Sequence, residues 1–197
     1  MKYLLIFLSL IMSTYSYSQS AEEVLKSLQN KFDTITDLSA DMVQKVNGAN
    51  KFSGKIFFKK KNKIRFEFSD QMIITDGKTA WNYNKGAKKL IISNFEDKGM
   101  GFLSINYLVY KYADECNLSL TTENGKQVLI LQPKGTKKLL GDVKLFLTKD
   151  YLLEKIELKE SDVNLEFYLS GYKLNQNIAD NKFSFTAPEG SNIVDLR

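Results

Sequence analysis

The stretch from Gly54 to Phe68, Gly-Lys-Ile-Phe-Phe-Lys-Lys-Lys-Asn-Lys-Ile-Arg-Phe-Glu-Phe, constrains the fold of this chain more than any other. Large apolar side chains recur at alternate positions on both sides of a polar centre, as in a hairpin whose two strands share one greasy face. A three-residue loop at Lys61-Asn62-Lys63 pairs Lys60 with Ile64, Phe58 with Phe66 and Ile56 with Phe68, gathering Ile56, Phe58, Ile64, Phe66 and Phe68 on that face. A two-residue loop would mix Arg65 and Glu67 into it, so the apolar pattern selects the register. Lys59 and Arg65 then face each other on the outer side. Lys60 ends its strand pointing with the apolar face, where its stem can lie on apolar surface while the ammonium meets a headgroup, a carbonyl or a lid backbone.

The same period of two runs on either side of the hairpin. Leu38, Ala40, Met42 and Val46 alternate with Ser39, Asp41 and Lys45. Further strands are expected at Met72–Thr75, Thr79–Tyr83, Lys89–Ser93, Leu118–Thr122, Gln127–Gln132, Val143–Thr148, Leu152–Glu160 and Leu165–Tyr172. Asp76-Gly77, Asn84-Lys85-Gly86, Asn124-Gly125, Lys149-Asp150 and Asp162 supply turn chemistry between them, which predicts an antiparallel meander.

Two segments depart from this rhythm. Ser20-Ala21-Glu22-Glu23 is a capping-box pattern, and Val24, Leu25, Leu28, Phe32 and Ile35 follow at helical spacing, so a helix is expected from about Ala21 to Ile35. Phe95 to Tyr112 carries Phe102, Leu103, Ile105, Tyr107, Leu108 and Tyr110, and reads as a loop with one or two helical turns. A sheet of this size cannot leave its apolar face wet, so both helical segments are expected to lie across it. The fold class is therefore mainly β with α-helical additions.

Residues 1–18 have Lys2 near the start, an apolar run from Tyr3 to Met12 and a small-polar end at Ser16-Tyr17-Ser18. This is the layout of a secretory signal peptide, too short in its apolar core to span a bilayer, with cleavage expected after Ser18. No Cys stands near that end to carry a lipid anchor, so residues 19–197 are expected to form a single soluble, exported domain. Cys116 is the one cysteine, so no intramolecular disulfide is possible.

The sequence contains no histidine, which removes Ser-His and Cys-His nucleophilic sites and the common zinc constellations. Neither an enzyme nor a cofactor is expected. Gly77-Lys78-Thr79 resembles the tail of a phosphate-binding loop, but the required upstream glycine falls at Met72. The run Lys59-Lys60-Lys61-Asn62-Lys63 comes with no nucleic-acid recognition motif, so nucleic acid is not expected as a partner. A net charge of +5 favours anionic lipid or an acidic protein partner.

Four stretches resemble the periplasmic lipoprotein carrier family LolA: Leu38 to Gln44, the Gly54 to Phe68 hairpin, Asp76-Gly-Lys-Thr-Ala-Trp-Asn-Tyr83, and Phe183-Ser-Phe-Thr-Ala-Pro-Glu-Gly190. They run in family order across nearly the whole exported chain. The resemblance implies an incomplete antiparallel β-barrel, or half-barrel, with a helical lid over a hydrophobic cavity. It implies a monomeric periplasmic chaperone that takes acylated lipoproteins from an inner-membrane lipoprotein-releasing ABC transporter and passes them to an outer-membrane acceptor. The family's inward Arg, followed by Pro, bonds the lid at the end of the second strand. Lys60 and Lys61 hold those positions here, so Lys60 is the expected latch or cavity-mouth residue, without the planar fork of Arg.

On this reading Leu28, Phe32, Met42, Ile56, Phe58, Ile64, Phe66, Phe68, Phe102 and Leu103 line or close the acyl-chain cavity. Burying three chains of roughly 15 methylenes at about 0.8 kcal/mol each would approach about 36 kcal/mol, whereas non-covalent affinities saturate near about 20 kcal/mol. A carrier should therefore cover its chains partially, beneath a movable lid. Two other uses of the shape are a lipid or lipoprotein sensor governing an envelope stress response, and a carrier of a glycolipid or pigment precursor. A membrane-anchored acceptor of the same fold would need a lipidated Cys after the signal.

Overall fold

The computed structural model describes residues 19–96, 104–135, 141–160 and 162–197. The expected signal peptide lies outside the described residues. The first element is α1 (Ala21–Asp33), opened by the capping box: the Glu23 N–H donates to Ser20 Oγ at 3.1 Å and the Ser20 N–H donates to Glu23 Oε2 at 2.9 Å. It ends two residues before Ile35 because the last turn tightens: the Thr34 and Ile35 amides donate three residues back, to Lys31 and Phe32.

The strands follow as β1 (Asp37–Val46), β2 (Ala49–Lys59), β3 (Lys63–Phe68), β4 (Gln71–Thr75), β5 (Thr79–Asn84) and β6 (Lys89–Asn94). A helical segment over residues 105–114, α2, is wound as a π-helix across Tyr107–Tyr112. Next come β7 (Cys116–Glu123), β8 (Lys126–Pro133), β9 (Asp142–Leu147), β10 (Leu153–Glu160), β11 (Val163–Leu174), a 3₁₀ turn at Asp180–Phe183 and β12 (Asn192–Asp195).

All twelve strands form one open sheet in the order β12-β6-β5-β4-β3-β2-β1-β11-β10-β9-β8-β7. It is an incomplete barrel, made of two antiparallel meanders, β1–β6 and β7–β11, joined where β11 pairs with β1. Among the described residues only β12 runs parallel to its neighbour, β6. The single expected meander is thus two, because β11 returns to the first strand.

The hairpin register differs from the sequence reading by two residues. Ile56 pairs with Phe66, Phe58 with Ile64 and Lys59 with Lys63, so the loop is Lys60-Lys61-Asn62. A slip of two leaves every side chain on its original face, which is why the apolar pattern could not detect it. Left-handed backbone at Lys61 (φ 71°) and Asn62 (φ 58°) closes the loop, and the neighbouring turn braces it. A Cβ on Gly77, itself at φ +92°, would lie 2.2 Å from the Lys61 carbonyl oxygen, so only glycine allows this approach. The facing Lys59 and Lys63 are bridged by Asp180, whose carboxyl they hold down to about 2.

The inward faces of β1–β3 and β7–β11 meet the apolar faces of α1 and α2 in one core. Val24, Leu28 and Phe32 point into it from α1, and Leu108, Tyr107 and Tyr112 from α2. Behind the sheet, the segment after β11 crosses the outer face of β3–β6 and buries Phe183 completely. Ile74, Tyr83 and Leu90 are buried on that outer face, with Phe185 against the Tyr83 ring at 5.1 Å.

The same strap is pinned by charge. Lys182 binds Glu67 at 2.9 Å and lies 4.1 Å from the Phe57 ring centre, while Arg65 binds Glu67 at 2.6 Å. Burial alone would raise the Glu67 carboxyl, but the hydrogen bonds from Lys182 and Arg65 hold it below the ordinary range.

Candidate functional site

The floor of the site is the inward face of the central strands. Met42 of β1, Ile56 of β2, Phe66 of β3, Ile156 of β10, and Phe167 and Leu169 of β11 converge there because pairing places Met42 opposite Leu169 and Gly54, and Ile56 opposite Phe66. Gly54 leaves room for this convergence: a Cβ there would sit 2.0 Å from the Glu67 carbonyl oxygen. Ile105 at the start of α2 closes the group from above. Together they enclose an apolar pocket of about 20 Å³, room for about one water. Among the described residues this space is thus taken up almost entirely by the protein's own side chains.

Ile105 also lines a second, wider pocket of about 240 Å³ that opens to solvent. Its other walls are Phe32 and Asp33 from the end of α1, Phe58 and the Lys60-Lys61-Asn62 tip, and Asn106 and Tyr110 from α2. This is the mouth of the site, apolar below and polar at the rim.

Three hydrogen-bonding side chains tie the last turns of α1 to their surroundings. Lys60 Nζ donates to the Asp33 carbonyl at 2.8 Å. The Tyr110 hydroxyl donates to Asp33 Oδ1 at 2.7 Å and to the Gln29 carbonyl at 3.2 Å, while Gln29 Nε2 donates to the Val109 carbonyl at 3.2 Å. Burial, reinforced by the Asp33 carboxylate, pushes the Tyr110 hydroxyl well above its ordinary pKa, so it is a proton donor at any physiological pH. At the start of α2 the Tyr107 N–H donates to Ser104 Oγ at 3.1 Å, and near its end the Tyr112 hydroxyl donates to the Gly141 carbonyl at 2.7 Å.

The base of α1 is anchored differently. Asp37, buried at the start of β1, accepts from the Gln176 N–H at 2.9 Å and the Asn177 N–H at 3.1 Å. Asn175 Oδ1 accepts from the Thr36 N–H at 2.8 Å. The turn between α1 and β1 is thus fixed to the sheet through backbone groups, whereas the helix beyond it is held by apolar packing and exposed or half-buried hydrogen bonds.

Among the residues singled out from the sequence, Met42, Ile56 and Phe66 surround the closed pocket, and Phe32, Phe58 and Lys60 line the mouth. Leu28, Ile64 and Phe68 are buried in the same core, where the Phe68 ring stacks on Phe66 with centres 6.1 Å apart. Phe102 and Leu103 lie outside the described residues. Lys60 sits in the loop, one position beyond the strand end expected for it. Ile156, Phe167 and Leu169 escaped the sequence reading as site residues, although the alternation of β10 and β11 marks them as inward. Asp33 and Tyr110 carry no such signal, since only the packing of α1 on α2 brings them together.

Known proteins share this architecture. The family described as "Outer membrane lipoprotein carrier protein LolA" matches residues 33–186. An uncharacterized protein of Methanocaldococcus jannaschii is 25% identical over 207 residues, covering 98% of this chain and 60% of that protein, so this chain spans less than two thirds of that relative. A protein of Histophilus somni (strain 129Pt) named outer-membrane lipoprotein carrier protein is 28% identical over 183 residues, covering 88% of each chain. Among solved structures, an uncharacterized conserved protein from Thermus thermophilus has a TM-score of 0.59 at 15% identity, covering 89% of this chain and 98% of that one, and shares the fold.

Proposed function

This chain belongs to LolA, the outer-membrane lipoprotein carrier family, and from that membership we propose that it is a soluble periplasmic chaperone whose half-barrel shields the acyl chains of lipoproteins. It takes them from an inner-membrane lipoprotein-releasing transporter and delivers them to the outer membrane. The observation that carries this reading is the continuity of site and mouth. A small pocket lined by apolar side chains adjoins a wider one with a polar rim, and among the described residues Ile105 lines both.

The closed pocket, with room for about one water, makes lid movement a requirement. When α1 and α2 lift, Met42, Ile56, Phe66, Phe167 and Leu169 become the surface that takes the chains, and Leu28 and Phe32 cover them from above. Closure buries these side chains against one another, so cargo competes with the protein's own core for the same surface. That competition keeps retention well under the full burial value of three chains and makes onward transfer possible. Lys60 and Tyr110 set how readily the lid opens, because both hold Asp33 at the end of α1.

The test is purification from the native envelope followed by mass spectrometry of bound species. Covalently triacylated lipoproteins should co-purify with the chain. Recovery of glycolipid or free fatty acid in their place, or of no acylated species at all, contradicts the assignment.

A further inference from the structure

The open sheet has two edges, and among the described strands they are β12 and β7. β12 is four residues long and ends at an Asp195–Arg197 ion pair, so it offers little edge to another strand. β7 runs for eight residues and carries none of the usual protections of an edge: it has no proline, lysine or arginine, and no bulge interrupts its pairing with β8. Left-handed backbone at Asn124 and Gly125 closes the β7–β8 hairpin in a two-residue turn, which makes Glu123 and Lys126 a hydrogen-bonded pair. Counting back by twos, Thr121, Ser119 and Asn117 bond to β8, whereas the backbone groups of Leu118, Leu120 and Thr122 point away from it. Pro133, which has no N–H to give, falls opposite Cys116 in a non-bonded pair, as this count requires. Among the described residues no backbone hydrogen bond reaches Leu118, Leu120 or Thr122 from elsewhere.

A solvent-open groove of about 550 Å³ lies beside the first half of this edge. Leu25, Ala113, Cys116 and Leu118 give it an apolar lining, and its charged side chains are two acids, Glu22 and Asp114, and two bases, Lys26 and Lys134. Walls balanced in this way suit an uncharged strand. The groove also continues from the mouth, because α1 and α2 run side by side in opposite directions. Asp33 and Gln29 bond Tyr110, Gln29 bonds Val109, and Glu22 and Lys26 share the groove with Ala113 and Asp114. Gln29 lines the groove while its carbonyl holds Tyr110, which lines the mouth. From Asp33 back to Glu22 the helix spans about 16 Å, the reach of about five extended residues.

We propose that the β7 edge receives the polypeptide tether of the cargo, an extended uncharged segment that follows the acylated end and adds to the sheet as a further strand. This rests on the carrier reading and extends it from the acyl chains to the peptide that bears them. The tether leaves the mouth, follows the seam between α1 and α2 for about five residues, and then pairs with Leu118, Leu120 and Thr122. Alternate side chains of the tether cover the half-buried Leu118 and Leu120. Main-chain hydrogen bonds supply the affinity of such strand addition, so the edge accepts tethers of many sequences, provided they are extended and free of proline.

Two synthetic triacylated lipopeptides with the same acyl chains test this by residue-resolved amide hydrogen exchange in solution NMR. One ends shortly after its acylated cysteine, and the other continues for roughly 12 residues of alternating serine and alanine, enough to cross the seam and cover the edge. With the long lipopeptide the Leu118, Leu120 and Thr122 amides should exchange roughly fivefold more slowly than with the short one, the factor of about one net backbone hydrogen bond. Ser119 and Thr121, already bonded to β8, should not change. Methylating the backbone nitrogens of the long tether keeps its side chains, blocks strand pairing and should abolish the slowing. Equal exchange with the two lipopeptides, or slowing that survives methylation, overturns the proposal and leaves the carrier reading standing, since both lipopeptides still bind through their acyl chains. Edge amides that slow in the empty protein as its concentration rises, with a dimer in sedimentation, assign the edge to a second copy and overturn the proposal as well. Failure of both lipopeptides to bind overturns the carrier reading along with it.

Discussion

Replacing Lys60 by Met removes the ammonium that holds the end of α1 while keeping an unbranched stem of similar length to lie on the mouth. The lost interaction is one charge-assisted hydrogen bond to the Asp33 carbonyl, 2.8 Å long and exposed to solvent. Such bonds contribute about 1 kcal/mol net, exposed ones towards the lower end, which corresponds to roughly a fivefold change in an opening equilibrium. The Tyr110 and Gln29 hydrogen bonds remain, so the helix should loosen without detaching. Amide hydrogen exchange reads this directly. In Lys60→Met, the C-terminal half of α1 should exchange about fivefold faster, with β1–β3 unchanged. Unchanged exchange in α1 would refute a latching role, and equal acceleration throughout the sheet would show a loss of overall stability in its place.

Three further perturbations separate the parts of the site. Ile105→Ala should merge the mouth with the closed pocket, lower stability by about 2–4 kcal/mol and speed the uptake of an acylated fluorescent probe in stopped-flow; a slower or unchanged rate would place the barrier elsewhere. Gly77→Ala sets a Cβ 2.2 Å from the Lys61 carbonyl at a left-handed φ, so it should cost about 2 kcal/mol and lower Tm by roughly 4–8 °C in calorimetry. A Tm within a degree of the parent would show that the tip is not braced there. The strap should respond to acid: Glu67 sits below its ordinary 4.5, and Asp180, ordinarily 3.8, is held down to about 2 by Lys59 and Lys63. Groups depressed on folding stabilise the protein above their ordinary pKa and lose that contribution as pH falls through the folded value. Tm should therefore drop between about pH 4.5 and 2, with a shallower drop in Asp180→Asn; identical profiles would show that Asp180 contributes nothing.

The faces of this protein were legible in its sequence because a strand has a period of two and one side of this sheet is buried. That is enough to place Met42, Ile56, Ile64, Phe66 and Phe68 together inside. It cannot fix the hairpin register, since a slip of two residues conserves every face and moves only the loop, taking Lys60 from a strand end to a turn. The parallel strand β12 is four residues long and half-exposed or exposed throughout, too short for any period to show. The π-winding of α2 is equally silent, because a helical apolar spacing does not distinguish hydrogen bonds to the fourth residue from those to the fifth. The rim of the mouth joins residues from α1, the β2–β3 loop and α2, and no local pattern announces a meeting of segments so far apart in the chain.

The most direct measurement uses a triacylated lipopeptide with a photoreactive group midway along an acyl chain, bound to the purified protein and irradiated. Cross-links mapped by mass spectrometry should fall on Met42, Ile56, Phe66, Ile156, Phe167 or Leu169, the residues that enclose the apolar pocket. Cross-links confined to the convex face, around Phe146 or Tyr168, or to the exposed Ile193 and Leu196, would contradict the conclusion that acyl chains are held inside the half-barrel.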